Sequence, residues 1–170
     1  MIIEPKKNKL VFSKKADEVR EMASLTKIMT CLVSIHLATE MKLDINKTWF
    51  KVSKRAADTI GTSANLTENQ KVTIFDLLYG LMLPSGNDAA VTLAENFTER
   101  LLKIRGKRKE VQILDPKTKL YLPANTVCSW SIFVKEMNIM AQKLHMKTTK
   151  YTNPHGLADK ANHSTAFELA

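Results

Sequence analysis

Residues 23–30 read Ala23-Ser24-Leu25-Thr26-Lys27-Ile28-Met29-Thr30 and put a hydroxyl and an amine three positions apart at the front of a strongly apolar run. Apolar residues continue through Leu32 and Ile35 to Met41 at the i, i+3, i+4, i+7 spacing of an amphipathic helix, so Ser24 is expected at a helix N-terminal end. Positions i and i+3 share a helix face, which lets Lys27 reach back to Ser24. Two readings are open. Ser24 is a cap and Lys27 a surface lysine with its stem on apolar neighbours, or Ser24 is a nucleophile and Lys27 its base. The second requires a neutral lysine, which burial favours by lowering its pKa.

Toward the amino terminus, "MII" and "KLVFS" flank the polar "EPKKN" and predict a hairpin over residues 1–15. Toward the carboxyl terminus, Asp44 to Lys71 reads as turns and loop with a short strand at Trp49 to Val52. The stretch "TIFDLLYGLMLPSGNDAAVTLAENFTERLLKI" then predicts two helices, about Thr73 to Leu83 and Asn87 to Ile104, broken at Pro84-Ser85-Gly86. Polar residues thus protrude where two buried helices meet. Ser63-Ala64-Asn65 repeats the Ser-x-Asn pattern of Ser85-Gly86-Asn87, but it has no flanking helices and is read as a turn.

Between Lys103 and Lys119 lie seven basic and two acidic residues, and "VQIL" and "LYLP" around Asp115-Pro116 predict an exposed hairpin. The stretch "SWSIFVKEMNIMAQKLHM" predicts a further helix capped by Ser129, and Thr165 with Glu168 forms a capping-box pattern that predicts a terminal helix at "HSTAFELA".

A chain of 170 residues with 44% apolar content can fill one core, which excludes a disordered protein. The net charge of +9 favours acidic partners such as nucleic acid, anionic lipid or cell-wall polymer. Only Tyr121 supplies an aromatic ring to the basic stretch, which therefore reads as solvated surface rather than a nucleic-acid site. Cys31 and Cys128 are too few for a disulfide framework, and both sit among apolar neighbours. His36, His145, His155 and His163 form no metal-helix pattern, and Gly80 and Gly86 make no phosphate loop, so neither a metal nor a cofactor is implied. No run approaches a transmembrane span, and "MIIEPKKNKLVF" lacks the apolar core of a signal peptide, which leaves the compartment open.

Taken in order, "ASLTKIMT", "LLYGLMLPSGNDAAVTLAE", "MNIMAQKLHMKTTKYTNPHGL" and "STAFELA" resemble the serine D-alanyl-D-alanine carboxypeptidases, the low-molecular-weight penicillin-binding proteins. The resemblance runs over nearly the whole chain except the basic stretch. It implies the α+β fold of the serine β-lactamases and transpeptidases. Ser24 would be the acylated nucleophile, Lys27 its base, Ser85 a proton relay to the departing D-alanine, and Asn87 a holder of the substrate backbone. The substrate would be a peptidoglycan D-Ala-D-Ala peptide, with β-lactams acylating the same serine.

The family's third motif, Lys-Thr-Gly on a strand, does not occur in this sequence. That strand supplies the carboxylate clamp and an oxyanion-hole N–H, and one such donor is worth ~10²–10³ in turnover. The expectation is therefore a single incomplete transpeptidase-like domain over residues 1–170, with a basic insertion at about 103–123. It would consist of an amino-terminal hairpin and a mostly helical body without the carboxy-terminal strands. Two functions are compatible with it: an impaired serine peptidase, or an inactive remnant whose exposed sheet-facing surface meets a protein partner.

Overall fold

The computed structural model describes residues 1–7, 9–106, 113–114, 121–122, 130–157 and 159–170. In chain order the elements are β1 (Ile2–Glu4), β2 (Lys9–Phe12), β3 (Arg20–Glu21), a 3-10 turn (Ala23–Leu25) and α1 (Thr26–Glu40). There follow β4 (Trp49–Lys51), α2 (Lys54–Ala57), β5 (Lys71–Thr73), α3 (Ile74–Met82) and α4 (Asn87–Gly106). The chain closes with β6 (Ile113–Leu114), β7 (Tyr121–Leu122), α5 (Ser131–Lys143) and β8 (His163–Ser164).

Helix α4 is the hub and packs against α1, α2, α3 and α5. Its Ala89, Ala90 and Ala94 let neighbouring backbones approach, while Val91, Leu93 and Phe97 fill the space between them, all fully buried. The Phe97 ring meets Phe50 edge-on at 5.0 Å and lies near-parallel to Phe133 at 6.1 Å, which joins β4, α4 and α5 in one core. Helix α3 starts at Thr73, whose hydroxyl accepts the Asp76 N–H at 3.1 Å and donates to the Asp76 carboxylate at 2.7 Å. That reciprocal cap fixes where the Ser85 turn emerges one helix later.

Among the described residues the strands form four two-stranded antiparallel ribbons, β1–β2, β3–β8, β4–β5 and β6–β7. The amino-terminal hairpin and the strand near residue 50 stand where the sequence puts them. So do the two arms of the β6–β7 hairpin, Ile113 opposite Leu122 and Leu114 opposite Tyr121. The turn at Asp115-Pro116, the Lys107-Arg108-Lys109 run, Cys128 and the expected cap Ser129 lie outside the described residues.

Three expectations are corrected. No helix forms at residues 163–170: His163–Ser164 pairs with Glu21 and Arg20, and 166–169 make a turn. Half of the capping box does form, since Glu168 N–H donates to Thr165 Oγ1 at 3.1 Å. The Glu168 carboxylate instead turns to Thr148 N–H at 2.9 Å and Thr149 Oγ1 at 2.5 Å, so tertiary partners displace the reciprocal bond. Second, residues 44–71 include α2, capped by Ser53 Oγ on Ala56 N–H at 3.0 Å, a helix too short to show a period in sequence. Third, the apolar stripe of α1 is only in part its buried face, since Met29 is buried and its neighbours on the stripe are not. Leu25, Ile28, Leu32 and Ile35 are 40–50% exposed, whereas Thr26, Lys27, Met29, Thr30, Val33 and Leu37 are buried. Polar groups tolerate that burial because distant loops supply their hydrogen bonds.

Candidate active site

Ser24 occupies the middle of the 3-10 turn, with its side chain exposed, and α1 begins two residues later. Ala23 enters this turn at φ +46°, a left-handed value that few alanines adopt. Lys27, one turn into the helix register, is 2% exposed, and its Nζ lies 3.2 Å from Ser24 Oγ and 2.7 Å from the His155 carbonyl oxygen. Burial lowers the Lys27 pKa below the ordinary lysine value, and the Asp88 carboxylate opposes that shift. One Lys27 N–H goes to the His155 carbonyl, and the amine stands within hydrogen-bond reach of the Ser24 hydroxyl.

The loop 152–157 holds this turn from the far end of the sequence. Asn153 Oδ1 accepts the N–H groups of His155 at 3.2 Å and Gly156 at 2.6 Å, and Pro154 O accepts Thr30 Oγ1–H at 2.6 Å. Asn162 Nδ2 donates to Thr26 Oγ1 at 2.7 Å. Gly156, at φ +79°, presses flush on the Ser24 turn: a Cβ there would stand 1.8 Å from the Ala23 carbonyl oxygen. The His155 ring is buried and accepts the Leu157 N–H on Nδ1 at 3.0 Å. Burial, then the Lys27 charge, lowers its pKa from 6.5 to about 4, so it is neutral at physiological pH.

Ser85 and Asn87 sit at the α3–α4 junction. Ser85 also takes a left-handed φ, +59°, and its carbonyl accepts Thr62 Oγ1–H at 2.5 Å. Its hydroxyl is half-buried and has no hydrogen-bond partner among the described residues. Gly86 N–H caps back to Gly80 O at 3.0 Å, and a Cβ at Gly86 would meet Gly80 O and Asp88 Oδ1 at 2.7 Å. Asn87 is 4% exposed, and its Nδ2 donates to the Ile60 carbonyl at 2.8 Å. One amide N–H is thus committed to the protein, which leaves Oδ1 and the second N–H for another group.

Ser63 is not remote from this turn. Its hydroxyl donates to Asp88 Oδ2 at 2.7 Å and accepts the Asn65 N–H at 2.8 Å, so the look-alike motif serves as a support of the second. Sequence reading also passed over Asp88 and the backbone of His155. Asp88 carried a signal, a carboxylate one residue inside a helix start beside a Ser-x-Asn turn, whereas a carbonyl oxygen has no sequence signature.

Residues 1–100 and 124–170 match the model of the D-alanyl-D-alanine carboxypeptidase family. The chain is 29% identical over its whole length to the D-alanyl-D-alanine carboxypeptidase DacF of Bacillus subtilis (strain 168), and spans 36% of that protein. It is 30% identical over 162 residues to the D-alanyl-D-alanine carboxypeptidase of Streptomyces sp. (strain K15), covering 94% of this chain and 47% of that one. Among solved structures, the D-alanyl-D-alanine carboxypeptidase DacD of Francisella tularensis superposes with a TM-score of 0.73 at 27% identity. The superposition covers 99% of this chain and 33% of that one. The Streptomyces K15 DD-transpeptidase gives 0.73 at 27% identity, over 98% of this chain and 55% of that one. The chain thus spans about a third to a half of these relatives.

Proposed function

The chain belongs to the D-alanyl-D-alanine carboxypeptidase family, and from that premise we propose that it carries the acylation half of a serine DD-peptidase site with a β-lactamase-like fold. The observation that supports this most is the buried Lys27 amine, 3.2 Å from an exposed Ser24 hydroxyl.

In the proposed reaction the Ser24 Oγ–H proton passes to Lys27 Nζ while Oγ adds to the carbonyl carbon of the penultimate D-alanine, or of a β-lactam ring. The tetrahedral adduct then expels the amide nitrogen, which takes a proton from the Lys27 ammonium by way of the Ser85 hydroxyl. An ester on Ser24 remains for water to cleave. Asn87 Oδ1 is the group on that side chain able to accept a substrate N–H. A strained β-lactam needs less help from an oxyanion hole than an ordinary peptide does.

These 170 residues on their own are expected to acylate slowly with penicillin and to release negligible D-alanine from a D-Ala-D-Ala peptide, because they contain no Lys-Thr-Gly strand. Intact-mass measurement after incubation with a fluorescent penicillin tests the assignment. A single adduct that disappears in Ser24→Ala supports it, and an adduct that persists in that variant refutes it.

A second reading rests on the outer face of α1 and α3. An apolar cleft of about 330 Å³ there is lined by Cys31, Ile35, Phe75, Tyr79, Met82 and Leu83, beside the exposed Ile28 and Leu32. A polypeptide seated on that face would make the chain an interaction subunit. Strict monomer behaviour in sedimentation with no loss of solubility at high concentration would remove this reading.

A further inference from the structure

The loop 152–157 turns two consecutive carbonyls toward α1. Pro154 O accepts Thr30 Oγ1–H at 2.6 Å, and His155 O accepts Lys27 Nζ at 2.7 Å. Each carbonyl shares a planar, trans peptide group with the N–H that follows it, so the His155 N–H points opposite to Pro154 O and the Gly156 N–H opposite to His155 O. Both N–H groups meet one atom. Asn153 Oδ1 takes them at 3.2 Å and 2.6 Å, and it is their acceptor among the described residues. Residues 153–156 are all buried, so neither N–H can turn to water instead.

We infer that Asn153 is a positioning residue for the Lys27 amine: its side-chain oxygen fixes the planes of the 154–155 and 155–156 peptide groups, and the second of these aims the His155 carbonyl at Lys27 Nζ beside Ser24 Oγ. The path is continuous. It runs from Asn153 Oδ1 to the Gly156 N–H, across one peptide plane to His155 O, and then through Nζ to the Ser24 hydroxyl at 3.2 Å. A lysine stem has four rotatable bonds, and burial alone does not choose among its rotamers; the carbonyl supplies the fixed point. Rotating the 155–156 plane would carry that oxygen off the amine and strand a buried N–H. Gly156 completes the fit, because a Cβ there would stand 1.8 Å from Ala23 O and 2.8 Å from Thr26 Oγ1. This role rests on Lys27 serving as the base for Ser24.

The test compares the whole native chain with Asn153→Leu, which removes the oxygen at similar volume, and Asn153→Asp, which keeps it. Penicillin acylation is read on the plateau of each rate–pH profile, so that a shifted Lys27 midpoint drops out. Trace acetylation of Lys27 by acetic anhydride, relative to the exposed lysines, is read by peptide mapping. In Asn153→Leu acylation is expected to fall about 10²-fold, as for a reacting group held out of place. Lys27 in that variant is expected to acetylate about tenfold faster, having lost a fixed hydrogen-bond partner. Asn153→Asp is expected to acylate near the native rate, with Lys27 no more reactive than in the native chain. A loss of stability in Asn153→Leu with both readouts unchanged would reduce Asn153 to a loop residue and overturn the inference, as would a folded Asn153→Asp chain that behaves like Asn153→Leu. Should either variant not fold, amide exchange in the native chain decides: the His155 and Gly156 amides should be as protected as those of Thr30 and Val33 in α1, and exchange about tenfold faster at either would contradict the latched planes. Absence of penicillin acylation in every form, native included, would count against the Ser24 assignment alone, because Lys27 acetylation does not depend on it and still decides the role of Asn153.

Discussion

The Ser24 turn and the Ser85 turn have the same local design and opposite supports. Each places a non-glycine residue in the left-handed region just before a helix, Ala23 at φ +46° and Ser85 at φ +59°, and each has a glycine pressed against it from another segment. The Ser24 turn is held by the loop 152–157, about 130 residues away in sequence, through the Lys27 and Thr30 side chains donating to its carbonyls and through the flush Gly156. The Ser85 turn is held by the loop 60–66, about 25 residues away, through the side chains of Thr62, Ser63, Asp88 and Asn87 and through the main-chain bond from Asn87 N–H to Thr62 O at 2.7 Å. Gly156 lies against the Ala23 main chain, which cannot yield without moving the chain, whereas Gly61 lies against the Asn87 side-chain amide, which can. The Ser24 turn should therefore be the more brittle of the two.

The largest effect expected is on chemistry rather than stability. Lys27→Met keeps the length of the side chain and removes the amine, so penicillin acylation should fall by about 10²–10⁴, the usual worth of a positioned base. Stopped-time mass spectrometry reads this directly. A loss under tenfold would place the base elsewhere and dissolve the distinction between the two turns.

Paired glycine substitutions sharpen the comparison. Gly156→Ala introduces a Cβ 1.8 Å from the Ala23 carbonyl oxygen at a φ of +79°, and is expected to cost about 3 kcal/mol or more. Gly61→Ala, at φ +97° with the nearest atom the Asn87 Nδ2 at 2.6 Å, should cost about 1–2 kcal/mol because that amide can swing away. Urea denaturation of both ranks them, and an inverted order would break the claim of a brittle Ser24 turn.

The sequence carried the positions of both motifs and the helices that mount them, because a 3.6-residue period and a Pro-Ser-Gly break are local signals. It did not carry their supports. Residues 163–170 look like a helix start locally, yet β8 pairs with β3 and Glu168 bonds Thr148 and Thr149, none of which has a local signature. Ser63 reads as an idle turn residue until the chain is folded and Asp88 lies beneath it. The inner face of α1 misleads for a related reason: Thr26 and Thr30 look solvent-facing in a helical wheel, but Asn162 and Pro154 bury them with hydrogen bonds. Lys27 is legible only as a possibility of spacing, and its burial comes from the loop at 152–157.

A smaller effect separates the two supports by pH. The folded His155 pKa is about 4 against an ordinary 6.5, so below pH 6.5 the unfolded chain binds a proton that the folded chain declines. Stability should be constant from this source above about pH 6.5 and should fall toward pH 4 by on the order of 2 kcal/mol. His155→Gln should flatten that slope in thermal melts, while substitutions in the loop 60–66 should leave it unchanged. An equal slope in His155→Gln would show that the loop at the Ser24 turn has no such sensitivity.

The most direct test of a buried, readily deprotonated Lys27 acting on Ser24 is the rate of penicillin acylation at Ser24 as a function of pH, located by peptide mapping. The expected profile rises through one group with a midpoint below the ordinary lysine value of 10.5, with the adduct on Ser24 alone. A rate independent of pH from 6 to 10, or an adduct on any other residue, would contradict the account.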